Sequence, residues 1–304
     1  MEYLQATLSG LALGSIYALV AFGFSITYTT TRTFNFGQGE FLALSSLCGF
    51  SVMLLIARGH AFGILDPDDV TALAYALALL FSVVLMAVLG AALYFVAVRH
   101  FLHEQGLSWV MSTLGFGIIV QNVALATWGP APQAVPSPLG ERVISIFGAG
   151  IRPQEIFVFV VTLVVMAVID QALRRTKLGK AVRAVAYSKP VASLMGINVE
   201  AVAVGVFMIS AAMAGLAGVL LAPITTASAF IGLALALKAF SAAILGGLDS
   251  PRGCIFGGFL LGLLESMVGL WRAELREIVV FGLIIAVLYV RPAGLLGTTM
   301  SEKI

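Results

Sequence analysis

A short polar segment, residues 33–40, contains the side chains with the clearest capacity for chemistry. It supplies two amides, a carboxylate and an aromatic ring, from Asn35, Gln38, Glu40 and Phe36, and a long apolar stretch follows directly. Polar groups at membrane depth are costly unless they face protein or a wet cavity, so these are candidates for contact with a transported solute. The alternative is an interfacial turn that caps the next helix, with Glu40 favourable near its amino end. The residues alone leave both interpretations open.

Four other polar residues lie inside apolar stretches. Gln121 and Asn122 are candidates for the path of the same solute through the membrane, or for hydrogen bonds between helices. Lys238 and Glu265 are ionisable, as ion coupling in a transporter that acts alone would require. Because such groups are few, the sequence favours a protein that depends on partners for energy.

A basic loop, residues 174–200, is the strongest signal in the sequence. It contains six basic residues between two apolar stretches: Arg174, Arg175, Lys177, Lys180, Arg183 and Lys189. This enrichment places the loop in the cytoplasm. Pro190 suits a first helical turn and Gly196 a helix end, so the spacing predicts two short helices separated near residues 188–190.

The second of these helices has an apolar face. Val191, Leu194 and Met195 recur at helical spacing around Ala192. A small cytoplasmic helix has no core of its own to join, so we expect this face to dock onto another subunit. The alternative, a loop that only anchors the topology at anionic lipid, predicts the charge but not the apolar face.

The motifs of several enzyme classes are absent from the sequence. Gly179-Lys180 is followed by Ala181 and lacks the preceding glycines of a phosphate-binding loop, so the chain is not expected to hydrolyse ATP. We find no nucleophile elbow, no His-Glu-x-x-His and no metal-ligand pattern. The sequence therefore predicts no catalytic residue, no metal site and no cofactor bound by this chain.

The composition indicates whether water or a lipid bilayer surrounds this protein. Of its 304 residues 60% are hydrophobic and 11% are charged, with a mean hydropathy of +1.05, whereas charged residues approach a quarter of a soluble domain. The net charge of +2 gives no indication of nucleic-acid binding. Apolar stretches of about 20 residues match the roughly 30 Å hydrocarbon layer as helices. We therefore expect an integral membrane protein.

The predicted fold is all-α, a polytopic transmembrane bundle of eight spans plus a short broken or re-entrant helix at residues 233–247. The eight spans cover residues 4–28, 41–57, 71–98, 107–128, 154–173, 202–223, 253–270 and 278–290. Residues 129–153 are rich in proline and glycine and predict an irregular extracytoplasmic loop. No gap can hold a soluble core, so residues 1–304 are expected to form one transmembrane domain that includes the basic loop at residues 174–200.

Six motifs, in order along the chain, resemble the branched-chain amino acid permease family, in particular the H-type subunit of leucine, isoleucine and valine import systems. They are GSIYAL at residues 14–19, NFGQGEF at 35–41, LGKAVRA at 178–184, ASLMGI at 192–197, KAFSAAILGG at 238–247 and RPAGLLG at 291–297. Gly37-Gln38 departs from the Ala-His that is common in the family, which replaces an imidazole by an amide.

The resemblance implies a permease subunit of an ATP-binding-cassette importer in the bacterial inner membrane. It implies four kinds of partner: a second permease subunit, two cytoplasmic ATPases that bind ATP and Mg²⁺, an extracytoplasmic binding protein and membrane lipid. In this family the basic loop corresponds to the coupling helices, so Lys180, Arg183, Val191, Ala192, Leu194, Met195 and Gly196 would couple ATPase movement to transport. Relatives also import aromatic amino acids, amides or urea, and a secondary transporter acting alone remains the other alternative.

Overall fold

The computed structural model describes residues 2–101, 108–140, 142–146 and 149–297. Within these residues the chain forms eleven α-helices and one β-hairpin. The helices are α1 (Glu2–Thr31), α2 (Gln38–Arg58), α3 (Ala72–Leu93), α4 (Ser108–Trp128), α5 (Pro153–Arg175), α6 (Lys177–Tyr187), α7 (Lys189–Leu194), α8 (Val199–Leu221), α9 (Ile231–Gly246), α10 (Pro251–Trp271) and α11 (Arg276–Val290). Helix α3 continues through a π-helical turn (Tyr94–Val98) and a 3-10 turn (Arg99–Phe101).

Seven helices are long and apolar enough to cross a membrane: α1, α2, α3 with its extension, α4, α5, α8 and α10. They coincide with seven of the eight predicted spans, which confirms a polytopic helical membrane protein. Leu107, the first residue of the fourth predicted span, lies outside the described residues. The eighth span falls on α11, whose 15 residues extend about 22 Å, less than the hydrocarbon thickness.

Helix α9 is the short apolar helix that the sequence predicts at residues 233–247. It is unbroken over 16 residues, and Gly246 and Gly247 end it instead of interrupting it. Gly247 has a φ of 105°, and Gly246 packs directly on the backbone of Gly253 in α10. These glycines therefore permit a tight turn between α9 and α10.

Helix α1 is the central element of the bundle. It packs against α10, α8, α9 and α5, and most of its side chains are buried. Its closest neighbour is α10, where a side chain on Gly258 or Gly262 would meet the backbone of α1. Small residues let helices approach closely in lipid, where burial from water supplies no attraction between them. Gly258 and Gly262, four residues apart on one face of α10, thus form a close helix contact.

The loop between α4 and α5 contains secondary structure that the sequence does not predict. Strand β1 (Ile144–Ile146) pairs antiparallel with β2 (Ala149–Ile151). In the same loop Gln133 exchanges two backbone hydrogen bonds, of 2.8 and 2.9 Å, with Ala227. The residues between α8 and α9 are therefore held against this loop. Such pairing is set by contact between distant parts of the chain, which local proline and glycine content does not reveal.

Candidate functional site

The polar segment of the sequence lies where the chain turns back into the bundle. Helix α1 ends at Thr31, and residues 32–37, the return segment, lead to the start of α2 at Gln38. The Gln38 Nε2 donates to the Val20 carbonyl at 3.1 Å, eleven residues before the end of α1. That separation is about 16 Å along the helix axis at 1.5 Å per residue. Helix α2 therefore begins deep beside α1.

Gln38 lies in the packing between helices. Its side chain is fully buried, its Nε2 donates to Val20, and its Oε1 accepts a 3.0 Å hydrogen bond from the Ser210 hydroxyl. Gly23 provides the room, because a side chain there would collide with the amide. Its amide ties α2 to α1 and α8, and a place for Gln38 on the path stays a prediction. The departure from the family's Ala-His consequently concerns helix packing first.

Asn35 and Glu40 have a different environment. Asn35 is fully buried and Glu40 is 8% exposed, yet no group of the described residues pairs with the Asn35 Oδ1, the Asn35 Nδ2 or the Glu40 Oε2. Each unpaired buried polar atom costs about 1–3 kcal/mol. Native proteins leave few such atoms, and each requires a specific explanation. These two side chains are therefore the strongest candidates for contact with a solute.

Glycines bring three helices together around the Glu40 carboxylate. A Cβ placed on Gly117 of α4 would lie 3.3 Å from the Glu40 Cγ, and one on Gly232 of α9 would lie 3.1 Å from its Oε2. Glu40 belongs to the first turn of α2, and Gly232 to the first turn of α9. The amino ends of two helices thus meet at this carboxylate, and both favour a negative charge there.

An aromatic cluster includes Phe34 and Phe36, the two residues that flank Asn35 in the chain. The ring of Phe36 is stacked on Trp109 with centroids 6.3 Å apart, and lies 5.6 Å from Phe240. Phe34 contacts the same rings at 5.9 and 5.2 Å. Phe36 belongs to the predicted path, whereas the sequence gives no sign of Trp109 and Phe240, because aromatic residues in apolar stretches carry no signal of their own. The cluster forms an apolar wall next to Asn35.

Gln121 and Asn122 are neighbours in α4 but do not act together. The Gln121 Nε2 donates to the Ala229 carbonyl at 3.2 Å, which ties α4 to the segment before α9. Asn122 is exposed and donates to the Ile118 carbonyl of its own helix at 2.8 Å. The structure therefore assigns both amides to hydrogen bonds with backbone and joins neither to the Asn35 side chain.

Lys238 and Glu265 form an ion pair inside the bundle. The Lys238 Nζ is 2.7 Å from the Glu265 Oε1, and the Tyr17 hydroxyl donates to the Glu265 Oε2 at 2.7 Å. Glu277 is 3.8 Å from the same ammonium. The cluster connects α9, α10, α1 and α11. The sequence shows both ionisable residues, but their pairing across 27 positions requires the tertiary structure.

The basic loop folds as two short helices, with the predicted separation at Ser188. The Ser188 hydroxyl caps α7, and Gly196 has a φ of 81°, as a helix end requires. The expected apolar residues form an exposed apolar patch: Val191 is 54% exposed, Leu194 87% and Met195 79%.

Three other residues of the predicted coupling set differ in environment. Lys180 is exposed on α6. Arg183 bends back, and its guanidinium donates to the carbonyls of Leu173 and Arg174 at the end of α5. Ala192 is 3% exposed and packs inward, so its coupling role stays a prediction. The outward surface of α7 is therefore apolar, while the cations near it partly serve the fold.

Comparison with known proteins agrees with this architecture. The family described as branched-chain amino acid transport system, permease component, matches residues 6–288. The chain is 34% identical to the high-affinity branched-chain amino acid transport system permease protein LivH of Escherichia coli K12, over 100% of this chain and 98% of the relative. It is 33% identical to LivH of Salmonella typhimurium and to BraD of Pseudomonas aeruginosa, with the same coverage.

The relatives share the full length of the chain, and the family model spans helices α1 to α11. The seven apolar helices account for a multi-pass membrane protein, and the transport systems named in these descriptions use such chains as permease components and not as enzymes. This chain belongs to the family of branched-chain amino acid transport system permease components.

Proposed function

We propose that the chain is one of two membrane-spanning subunits of an ATP-driven importer in the bacterial inner membrane, and that it carries branched-chain or other hydrophobic amino acids. The observation that carries the proposal is the exposed apolar patch at Leu194, which is 87% exposed on a helix of the basic loop. Apolar surface of this kind marks contact with another protein. The chain has no phosphate-binding loop, so energy would reach it through this contact.

The proposed partners follow from the need for ATP hydrolysis on subunits other than this chain. Two cytoplasmic ATPases would bind ATP and Mg²⁺ and dock on the coupling helices, one of them on α7 of this chain. A second, similar permease would complete the path, and an extracytoplasmic binding protein would deliver the amino acid. The exposed apolar side chains of α4, such as Ile118 and Ile119, supply surface for lipid or for that second permease.

The proposed substrate class matches the chemistry at the return segment. An amino acid carries an ammonium, a carboxylate and, in this class, an apolar side chain. The unpaired Glu40 carboxylate suits an ammonium, the Asn35 amide can donate or accept, and the aromatic wall around Phe36 suits the apolar side chain. A transport path needs such groups to bind briefly and release, which incomplete hydrogen bonding in the unloaded protein permits.

The test is ATP-dependent uptake by the complete complex in proteoliposomes. We expect uptake of labelled leucine that requires the ATPases and the binding protein, and that unlabelled isoleucine and valine suppress. Stronger competition by phenylalanine, an amide or urea would identify one of the alternative substrates within the family. Uptake by this chain alone, driven by an ion gradient, would refute the importer and support a secondary transporter.

Thiol labelling tests the placement of the path. In a background with Cys48 and Cys254 replaced by alanine, Glu40→Cys should react with a small water-soluble reagent during ATP turnover. Leu42→Cys is the matched control, because Leu42 lies in the same helix and is fully buried in the bundle. Equal protection of both positions during turnover would assign Glu40 to helix capping alone.

A further inference from the structure

The end of α1 has an unusual backbone. Arg32 has a φ of 61°, and it is the one residue other than glycine with a positive φ in the described part of the chain. Glycine or asparagine ordinarily occupies this left-handed position after a helix, because a β-carbon is crowded there. An arginine at this point therefore needs a compensating role for its side chain.

The guanidinium of Arg32 supplies that role. Its Nη1 is 3.0 Å from the Asp249 Oδ1, in the turn between α9 and α10, and its Cζ lies 5.2 Å from the centre of the Tyr28 ring. One side chain thus connects the end of α1 to the α9–α10 turn. The carboxylate also offsets the repulsion between Arg32 and the ammonium that approaches the same helix end, that of Lys189.

Lys189 is the first residue of α7. Its Nζ donates to the Thr31 carbonyl at 3.0 Å, across 158 positions of sequence. Among the hydrogen bonds of the described residues, this one joins α7 to α1. Burial, and to a smaller extent the positive charge of Arg32, lower the pKa of the Lys189 ammonium.

Lys189 therefore contacts the last residue of α1, and Arg32 is the first residue of the return segment. Asn35 follows three residues after Arg32, fully buried and without a partner among the described residues. We propose that Lys189 and Arg32 are positioning residues that transmit movement of α7 through the end of α1 to the return segment, and so to Asn35 and Glu40. The inference rests on the proposed importer function, since it assigns a route to the coupling that this function requires.

The test compares transport with ATP hydrolysis in the reconstituted complex. Lys189→Met removes the hydrogen bond to Thr31. Arg32→Gly removes the guanidinium while it retains, and eases, the left-handed backbone. Both variants should assemble and hydrolyse ATP, but the amount of amino acid taken up per ATP should fall about fivefold or more, the lower range of typical coupling between sites.

Two variants serve as controls. Lys189→Gln can still donate to the Thr31 carbonyl and should restore most of the uptake per ATP. Arg99→Met breaks a cytoplasmic ion pair with Glu200, 3.1 Å long, that does not involve the end of α1, and should leave the ratio unchanged.

The outcomes separate coupling from stability. A ratio that stays constant while uptake and hydrolysis fall together would refute the link, because lost protein lowers both equally. Loss of the assembled complex in both Lys189→Met and Lys189→Gln would refute it too, since the residue would then serve the fold. Without ATP-dependent uptake by the wild-type complex, the importer function and the link both fail. An unchanged ratio in a working complex overturns the link alone.

Discussion

Leu194→Glu is the sharpest perturbation of the proposed coupling to the ATPases. Leu194 is 87% exposed in the isolated chain, and Met195 and Val191 extend the patch on either side. The substitution breaks no packing within this chain, so membrane insertion and fold should be retained. Uptake should be lost, because a carboxylate would replace the apolar side chain at the centre of the docking contact.

The size of the effect follows from the exposed side chain. Full burial of a leucine is worth about 1.5–3 kcal/mol, and since Leu194 is almost wholly exposed before docking, most of that term is available to the interface. Its loss alone weakens docking about 10- to 150-fold, as about 1.4 kcal/mol corresponds to a factor of ten. Desolvation of the new carboxylate adds to this loss.

The assay measures membrane level, ATPase co-purification and amino-acid uptake for the same variant. Leu194→Met should behave as the wild type, because it keeps an apolar side chain. Ile64→Glu is a second control, since Ile64 is 77% exposed in the loop between α2 and α3, away from the basic loop. Normal uptake by Leu194→Glu would refute docking at this face. Disappearance of the variant from the membrane would show that the patch stabilises the fold instead.

Three further predictions concern packing, the buried charges and the division of labour. Gly262→Ala should destabilise the detergent-solubilised protein by about 1–3 kcal/mol in unfolding, because its β-carbon would meet the backbone of Gly14, whereas Gly282→Ala, with open space around it, should not. Glu265→Gln should cost about 3–5 kcal/mol by leaving the Lys238 charge without its close carboxylate, and adding Lys238→Met should recover part of that stability. The purified chain should hydrolyse no ATP, and turnover by a preparation free of contaminants would contradict this.

Sequence alone predicts the elements whose cause is local or is set by the bilayer. The apolar stretches match the hydrocarbon thickness, so seven spans coincide with helices of the structure. The exposed patch on α7 follows from helical spacing. The two ends of helix α7 follow from a proline at its start and a glycine after its last turn. Orientation from basic residues is a prediction of the same kind, since it depends on where the charges lie along the chain.

Neighbouring residues of similar chemistry show what the sequence leaves undecided. Gln38 and Glu40 belong to one polar motif. Gln38 has hydrogen-bond partners on α1 and α8, whereas the Glu40 Oε2 is unpaired beside α9. Gln121 and Asn122 likewise point to different surroundings. These residues project from different sides of their helices, which the sequence predicts. The groups that each side chain contacts depend on which other helix packs there, which the sequence does not predict.

The tertiary structure also decides which distant charges become partners. Lys238 pairs with Glu265, Arg32 with Asp249, and Lys189 reaches the end of α1 across 158 positions. The sequence determines that this chain is a polytopic membrane protein with a basic loop, because length, polarity and helical spacing are local properties. Partners of buried polar groups depend on how the helices pack, and a contact between residues far apart in the chain leaves no periodic signal.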